Sequence, residues 1–497
     1  VTHRRSARDY IRLVADEDTF EQWDDDVVSD DPLGFVDTMA YADRLRAMAD
    51  RSGETEAIVT GSCRIDGTRV VLIVGEFGFL AGTLGVATAQ RVMRAFDRAT
   101  AQRLPVVAMP ISGGTRMQEG TPAFIQMAGC AAAVQRFRSA GLPYVTYLRD
   151  PTTGGVLASW ASLAHVRLAE PGALIGLTGP RIVTEMTGEA FPDGVQVAEH
   201  LLAHGVIDQV VAPENLRGYL IALLDLLTQT RTPWQPTATA EVLEATETVD
   251  AWEAVTHSRH PDRPGIAELL ADCAADPLVP LRGDGAGQDD PACQAVLTRV
   301  CGTAAIVVGQ TRPTGERGAS LGAAGYRKAR RAMRIAGELG LPLVTIIDTV
   351  GAAMTPQDEE SGLAGMIGEC LAEMSALPTA SVAVLLGEGA GGGAIALLPA
   401  DRVIAAAHSW LAPIAPEGAS AILFRTADRA PEVAAMQAVA STALREFGIV
   451  DYVVADDDAD GPARMAAVLD HALRELTVQD DPDRLAVRQR RYRTIAY

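Results

Sequence analysis

Two stretches of this chain repeat one another in order and spacing, and that repetition limits the fold more than any other feature. Leu104-Pro105-Val106-Val107 returns as Leu341-Pro342-Leu343-Val344, and Gly114 returns as Gly351, both 237 positions on (342 − 105 and 351 − 114). Gly154-Gly155-Val156 returns as Gly392-Gly393-Ala394 at 238 (392 − 154). In the first copy the β-branched run Val70-Val71-Leu72-Ile73-Val74 reads as a buried strand. A glycine-rich turn, Phe79 to Gly85, and a helical stretch through Arg98 follow it, and Pro105 to Met109 reads as the next strand. Strand, turn, helix and strand in alternation imply βαβ units and a mostly parallel sheet. The expectation is an α/β fold in two homologous domains, 1–240 and 241–497. The Thr- and Pro-rich stretch Thr230 to Thr248 reads as the join. Residues 1–60 read as a lead-in of charged helices and turns, and Gly283 to Gln288 as a loop excursion inside the second copy.

Charge and residue usage exclude several function classes. A net charge of -21 argues against nucleic acid or an anionic membrane as the main partner, because phosphates are met by cationic surfaces. The only lysine is Lys328, in Gly325-Tyr326-Arg327-Lys328-Ala329. That context is neither a P-loop, nor a site for a pyridoxal Schiff base, nor the Met-Lys-Met turn of a biotin carrier. Any biotin must arrive on another chain. The six cysteines are scattered without a Cys-x-x-Cys pair, which removes a zinc ribbon and suits a reducing cytoplasm. No apolar run reaches the ~18 residues of a membrane span, and the N-terminal residues do not read as a signal peptide.

The glycine turns carry the chemistry. In Asp150-Pro151-Thr152-Thr153-Gly154-Gly155-Val156 a strand is stopped by proline and a small-residue helix begins, so successive N–H groups point outward with partial positive charge. That is what a developing oxyanion needs. A lone Gly-Gly pair more often serves only helix–strand packing, but two copies in one phase weigh toward a site. Ser112-Gly113-Gly114-Thr115-Arg116 offers backbone amides and a cation, a seat for an anionic or thioester ligand through Gly113, Gly114 and Arg116. Arg327, Lys328, Arg330, Arg331 and Arg334 make a basic helix face, either a solvated surface or a seat for phosphate or carboxylate. His165, His200, His204, His257 and His260 have no acidic partner at zinc-ligand spacing, and there is no Gly-x-Ser-x-Gly elbow. Neither a metal nor an acyl-enzyme serine is expected.

With these motifs assembled, Arg69 through Val211 closely resembles the β subunit of bacterial acetyl-CoA carboxylase carboxyltransferase. The segments that carry the likeness are Ser112 to Gly120, Pro151 to Val156 and Ala169-Glu170-Pro171-Gly172-Ala173-Leu174-Ile175-Gly176. Trp252 through Asp451 resembles the α subunit, through Arg259-His260-Pro261-Asp262-Arg263-Pro264, Gly325 to Ala329, Ile347-Asp348-Thr349, Gly387-Glu388-Gly389 and Pro416-Glu417-Gly418. The resemblance implies a β–α fusion with a crotonase-like (ClpP/crotonase) fold in each half. It departs from the pattern in lacking the zinc ribbon, in Val350 within Asp348-Thr349-Val350-Gly351-Ala352, and in Ala415 before Pro416.

The same resemblance implies carboxyl transfer from carboxybiotin to an acyl-CoA, with biotin itself taking the α proton, so that no side-chain base is required. Amides around Gly154, Gly155 and Val156 would then hold the thioester enolate. Those around Gly392, Gly393 and Ala394 would hold biotin, with Gly351, Gly391, Pro416, Glu417 and Gly418 beside them. Gly113, Gly114, Arg116, Arg327 and Lys328 would bind the acyl-CoA. The implied partners are acetyl-CoA or malonyl-CoA, a biotin carboxyl carrier protein, a biotin carboxylase and further copies of the chain. Ala396, where propionyl-type relatives carry an acidic residue, favours acetyl-CoA. Three rivals stay open at this point: a decarboxylase acting on a malonyl thioester, a non-catalytic scaffold subunit, and a crotonase-type hydratase using Glu119 and Glu388.

Overall fold

A computed structural model describes residues 4–228, 248–312, 320–478 and 482–494. The chain divides into two compact units, Val1–Asp225 and Leu226–Tyr497. Of the stretch read as the join, residues 230–247 lie outside the described residues.

The first unit is built on a seven-stranded sheet ordered β1-β2-β3-β4-β5-β7-β9. Its strands are β1 (Glu21–Trp23), β2 (Ile58–Ile65), β3 (Thr68–Gly75), β4 (Val106–Met109), β5 (Tyr144–Leu148), β7 (Val166–Ala169) and β9 (Gln209–Val210), with β6 (Thr152–Thr153) and β8 (Ile175–Gly176) as a separate pair. β1, β2 and β3 pair antiparallel, and β3 through β9 run parallel. The parallel strands are continuous apolar runs because helices cover them. Helices Val86–Gln102 and Gly120–Ser139 place Phe96 and Phe137 edge-on to each other, and Phe96 also meets Tyr144 of β5 at 5.1 Å.

The second unit repeats this plan. Its sheet runs β10-β11-β12-β13-β14-β15-β17, with β16 also paired to β14. The strands are β10 (Ala274–Pro280), β11 (Cys293–Val300), β12 (Thr303–Gln310), β13 (Leu343–Thr349), β14 (Ser381–Ala390), β15 (Arg402–Ala406), β16 (Trp410–Ala412) and β17 (Tyr452–Val454). Again the first three pair antiparallel and the rest parallel. The register is conserved between copies: Val106 pairs with Tyr144, and Leu343 with Ser381, each residue displaced by 237 (343 − 106 and 381 − 144).

The lead-in differs from expectation. β1 lies within it and β2 begins at its end, and both join the sheet. Gly61 and Ser62 interrupt the apolar pattern of Ile58-Val59-Thr60-Gly61-Ser62-Cys63, which hid the strand. Gly61 is needed there, since a Cβ would lie 2.3 Å from the Glu21 carbonyl oxygen. The hairpin turn itself is Asp66-Gly67, both left-handed (φ 48° and 77°), a sequence signal for a two-residue turn.

Candidate active site

In the first unit two loops leave the same end of the parallel sheet and meet. After β4 comes Ser112-Gly113-Gly114, where the Gly114 N–H donates to Ser112 Oγ at 3.0 Å. After β5 comes Thr152-Thr153-Gly154. The loops are stitched together: Ser112 N–H donates to the Pro151 carbonyl at 2.7 Å, and Thr153 N–H to the Ser112 carbonyl at 2.9 Å. Gly154 opens the short helix Gly154–Leu157 with a left-handed φ of 62°. A Cβ on it would lie 2.7 Å from Gly114 Cα, so the two backbones touch as only glycines permit. The first-turn N–H groups of Gly155 and Val156 have no carbonyl within the helix to bond. Leu84 bonds Gly114 and Arg116 on one edge of the loop, which turns the Thr115 N–H to the other.

The second unit rebuilds the arrangement. The Gly351 N–H donates to Thr349 Oγ1 at 3.1 Å, as Gly114 does to Ser112. The helix Gly391–Ile395 opens with Gly391 at a φ of 59°. A Cβ on Gly393 would lie 2.8 Å from the Gly351 carbonyl carbon. Conformation therefore aligns Gly154 with Gly391, at 237 (391 − 154), and moves the sequence match by one residue. The orphan first-turn amides of the second copy are those of Gly392 and Gly393. Ala394, fourth in the helix, is within reach of the Ala390 carbonyl, so its N–H is not a first-turn donor.

The sequence profile described as acetyl co-enzyme A carboxylase carboxyltransferase-like matches residues 228–496. A probable biotin-dependent acyl-coenzyme A carboxylase beta3 subunit of Mycobacterium tuberculosis is 47% identical over 99% of both chains. An acetyl-coenzyme A carboxylase carboxyl transferase subunits beta/alpha chain of Salinispora tropica is 41% identical, covering 93% of this chain and 85% of its own. This chain belongs to the biotin-dependent acyl-CoA carboxyltransferase family. The solved transcarboxylase 12S, a hexamer with methylmalonyl-coenzyme A bound, superposes with a TM-score of 0.77 at 20% identity over 96% of this chain and 91% of its own. The fold is crotonase-like in both domains.

For a carboxyltransferase, several residues expected to bind acyl-CoA prove to be internal. Arg116 is wholly buried. Its guanidinium bonds Glu56 at 2.5 Å, Ser29 at 2.6 Å and Glu119 at 2.9 Å, and Tyr41 donates to Glu119 at 2.6 Å. Burial opposes the Glu56 carboxylate, but Arg116, Ser29 and the Ala57 N–H outweigh it and hold its pKa below the usual range. Arg116 is thus a strut under the Gly113-Gly114 loop, and Glu119 is committed to it and to the Val86 N–H. Three of its partners, Ser29, Tyr41 and Glu56, come from the lead-in. No local signal marks them, because Glu56 is 60 residues from Arg116.

The basic helix face is likewise occupied in part. On helix Ala323–Leu339, Arg327 bonds Asp284 at 2.8 Å and Gln288 at 2.7 Å, so the Gly283 to Gln288 excursion folds over it. Buried Lys328 bonds the Cys293 carbonyl at 2.7 Å and pairs with Asp289 at 2.8 Å. Arg330 pairs with Glu369 and Glu373. Arg327 and Lys328 thus hold the edge of this unit together, Lys328 from a buried position and Arg327 from a half-buried one.

Beside the second glycine turn lies a cavity of about 1010 Å³, bordered by Gly391, Gly392, Ile395, Pro413, Met436 and Phe447. Apolar walls with amide donors at one end fit the bicyclic ring and ureido oxygen of biotin. A Cβ on Gly391 would come within 3.0 Å of the Pro413 carbonyl oxygen, which narrows this cradle. Pro416 opens the helix Pro416–Phe424, Gly418 follows against Ile414, and Glu417 is bonded by Arg259 at 2.5 and 3.1 Å. Ala396 is buried at the end of the glycine helix.

Sequence spacing did not bring His257 and His408 together, yet their rings stack at 3.9 Å and 25°. His408 Nδ1 lies 2.7 Å from Asp456. These three are the one histidine-containing group among the described residues whose ligand atoms cluster closely enough for a metal. His408 is hydrogen-bonded to Asp456, and the His257 ring lies stacked on it.

Proposed function

We propose that the chain transfers a carboxyl group from a biotinylated carrier protein to acetyl-CoA, forming malonyl-CoA. The reading rests on the duplicated pair of touching glycine loops, one oxyanion cradle per unit. The reaction removes a proton from the thioester α-carbon and forms a C–C bond to CO2, so negative charge grows on the thioester oxygen. In the first unit the amides of Gly155 and Val156, with Thr115 across the loop junction, receive that oxygen. Fixed donors in a water-poor cleft stabilise such charge without reorganising, an effect of about 2.7–4 kcal/mol per donor. The Gly113-Gly114 loop supports the thioester from the other side, held by the Arg116 strut. In the second unit the amides of Gly392 and Gly393 seat the biotin ureido oxygen, and Gly351, Gly391 and the Pro416-Glu417-Gly418 corner shape the seat. When bound, biotin supplies the carboxyl group and a basic ureido nitrogen. No residue of this chain then needs to act as the base.

The partners in this reading are a biotin carboxyl carrier protein, an ATP-dependent biotin carboxylase and other copies of this chain. Six buried free thiols suit a reducing cytoplasm. The test is a reverse assay with malonyl-CoA and biocytin. Acetyl-CoA forming only with biocytin supports the reading, and biocytin-independent release refutes it in favour of a decarboxylase. Methylmalonyl-CoA as the preferred substrate would refute the acetyl assignment alone.

A further inference from the structure

We infer that Arg259 is a positioning residue for the second glycine cradle, setting the separation of its two walls. One wall is the end of β14, where Glu388 lies three residues before Gly391. The other is the loop from Pro413 to Glu417, which ends in helix Pro416–Phe424. Arg259 spans them: Nε donates to Glu388 Oε2 at 3.1 Å, Nη1 to Glu417 Oε1 at 2.5 Å, and Nη2 to Glu417 Oε2 at 3.1 Å. Glu388 is 1% exposed and Glu417 37%, so the bridge runs from the interior to the rim.

The strap that carries Arg259 is fixed at both ends. Ser258 Oγ accepts from Trp410 Nε1 at 2.9 Å, which ties it to β16. Arg263 grips both Asp348 oxygens at 2.8 and 2.7 Å, and Asp348 in turn accepts the Glu388 N–H at 3.2 Å. Arg259 therefore acts from a rigid base, and its planar fork fixes distance and angle together. Its contacts are to carboxylates that brace the walls, so it acts on a ligand only through the cradle. A wall that drifts changes the gap between Gly391 and Pro413, where even a Cβ on Gly391 would lie 3.0 Å from the Pro413 carbonyl oxygen.

The inference rests on the assignment of biotin to this unit. It is tested in full-length Arg259→Met, Glu417→Gln and the double variant, by kcat and KM for biocytin in the malonyl-CoA assay and by the Kd of malonyl-CoA. Arg259→Met is expected to raise the biocytin KM by about tenfold, the scale of one or two charged hydrogen bonds, with malonyl-CoA affinity within about twofold. Glu417→Gln gives a smaller rise, and the double variant is no worse than Arg259→Met because the two residues act as one bridge. A biocytin KM unchanged in Arg259→Met, or an equal loss of malonyl-CoA affinity, overturns the inference. Should Arg259→Met fail to fold, an unchanged KM in Glu417→Gln overturns it alone. Wild-type turnover indifferent to biocytin overturns the functional reading instead, so the two failures are distinguishable.

Discussion

Replacing Gly154 by alanine tests the cradle most directly, because its cost divides into two parts that separate experimentally. The first is conformational: a φ of 62° costs an L-residue about 1–2 kcal/mol. Gly53 isolates that part, since it is also left-handed (φ 72°) and a Cβ there meets nothing within 4 Å. The second part is steric. A Cβ at Gly154 lies 2.7 Å from Gly114 Cα, while ordinary contact begins near 3.4 Å, so the loops must separate by about 0.7 Å. Ser112 anchors both loops through backbone bonds, and the strain passes into the amides rather than into a flexible side chain. Displacement of that size at a reacting centre costs about 10²-fold in rate. Gly154→Ala is therefore expected to lose more stability in urea than Gly53→Ala, by the steric part, and only Gly154→Ala to lose about 10²-fold in kcat. A Gly154→Ala enzyme within threefold of wild-type kcat would refute the role given to the touching loops.

Two other expectations follow from buried charge. Arg116→Ala leaves Glu56 and Glu119 buried without their counter-charge and should cost about 3–5 kcal/mol in denaturant unfolding; a loss confined to acyl-CoA affinity with stability intact would return Arg116 to the ligand. Bonding to Asp456, against the cost of burial, holds the His408 pKa above 6.5, so its stabilisation is complete below pH 6.5 and fades as pH rises through the folded value. Burial, then the neighbouring His408, holds His257 below 6.5, and its penalty appears as pH falls. The gap in melting temperature between wild type and Asp456→Asn should therefore shrink between pH 6.5 and 9, and a constant gap would contradict this.

Much of the fold was legible because it is written in local pattern. β-branched runs such as Val70 to Val74 can be little else than buried strands, and the constant displacement of Gly114 and Gly351 announced the duplication. The second strand of the first sheet escaped because Gly61 and Ser62 break its pattern, and the reason for that glycine lies in Phe20 and Glu21, forty residues earlier. The glycine loops were legible as motifs, but their alignment in the structure differs by one residue from the match in sequence. Two adjacent glycines look alike in sequence, and only φ distinguishes Gly391 from Gly392.

The charged residues were the least legible. Arg116, Arg327 and Lys328 sit beside glycine turns or on one helix face, where a ligand seat is a reasonable expectation, yet each is paired with carboxylates of its own unit, Arg116 and Lys328 in the interior. By itself the sequence determined the alternation of elements, the two copies and the glycine turns, because strand period, helix period and left-handed backbone are decided within a few residues. Only the tertiary structure decided which charges neutralise one another. Arg116 meets Glu56 from 60 residues away, and Arg259 meets Glu417 from 158. An unpaired charge cannot be buried cheaply, so such pairs are settled only when the sheet closes and brings distant loops within hydrogen-bonding reach.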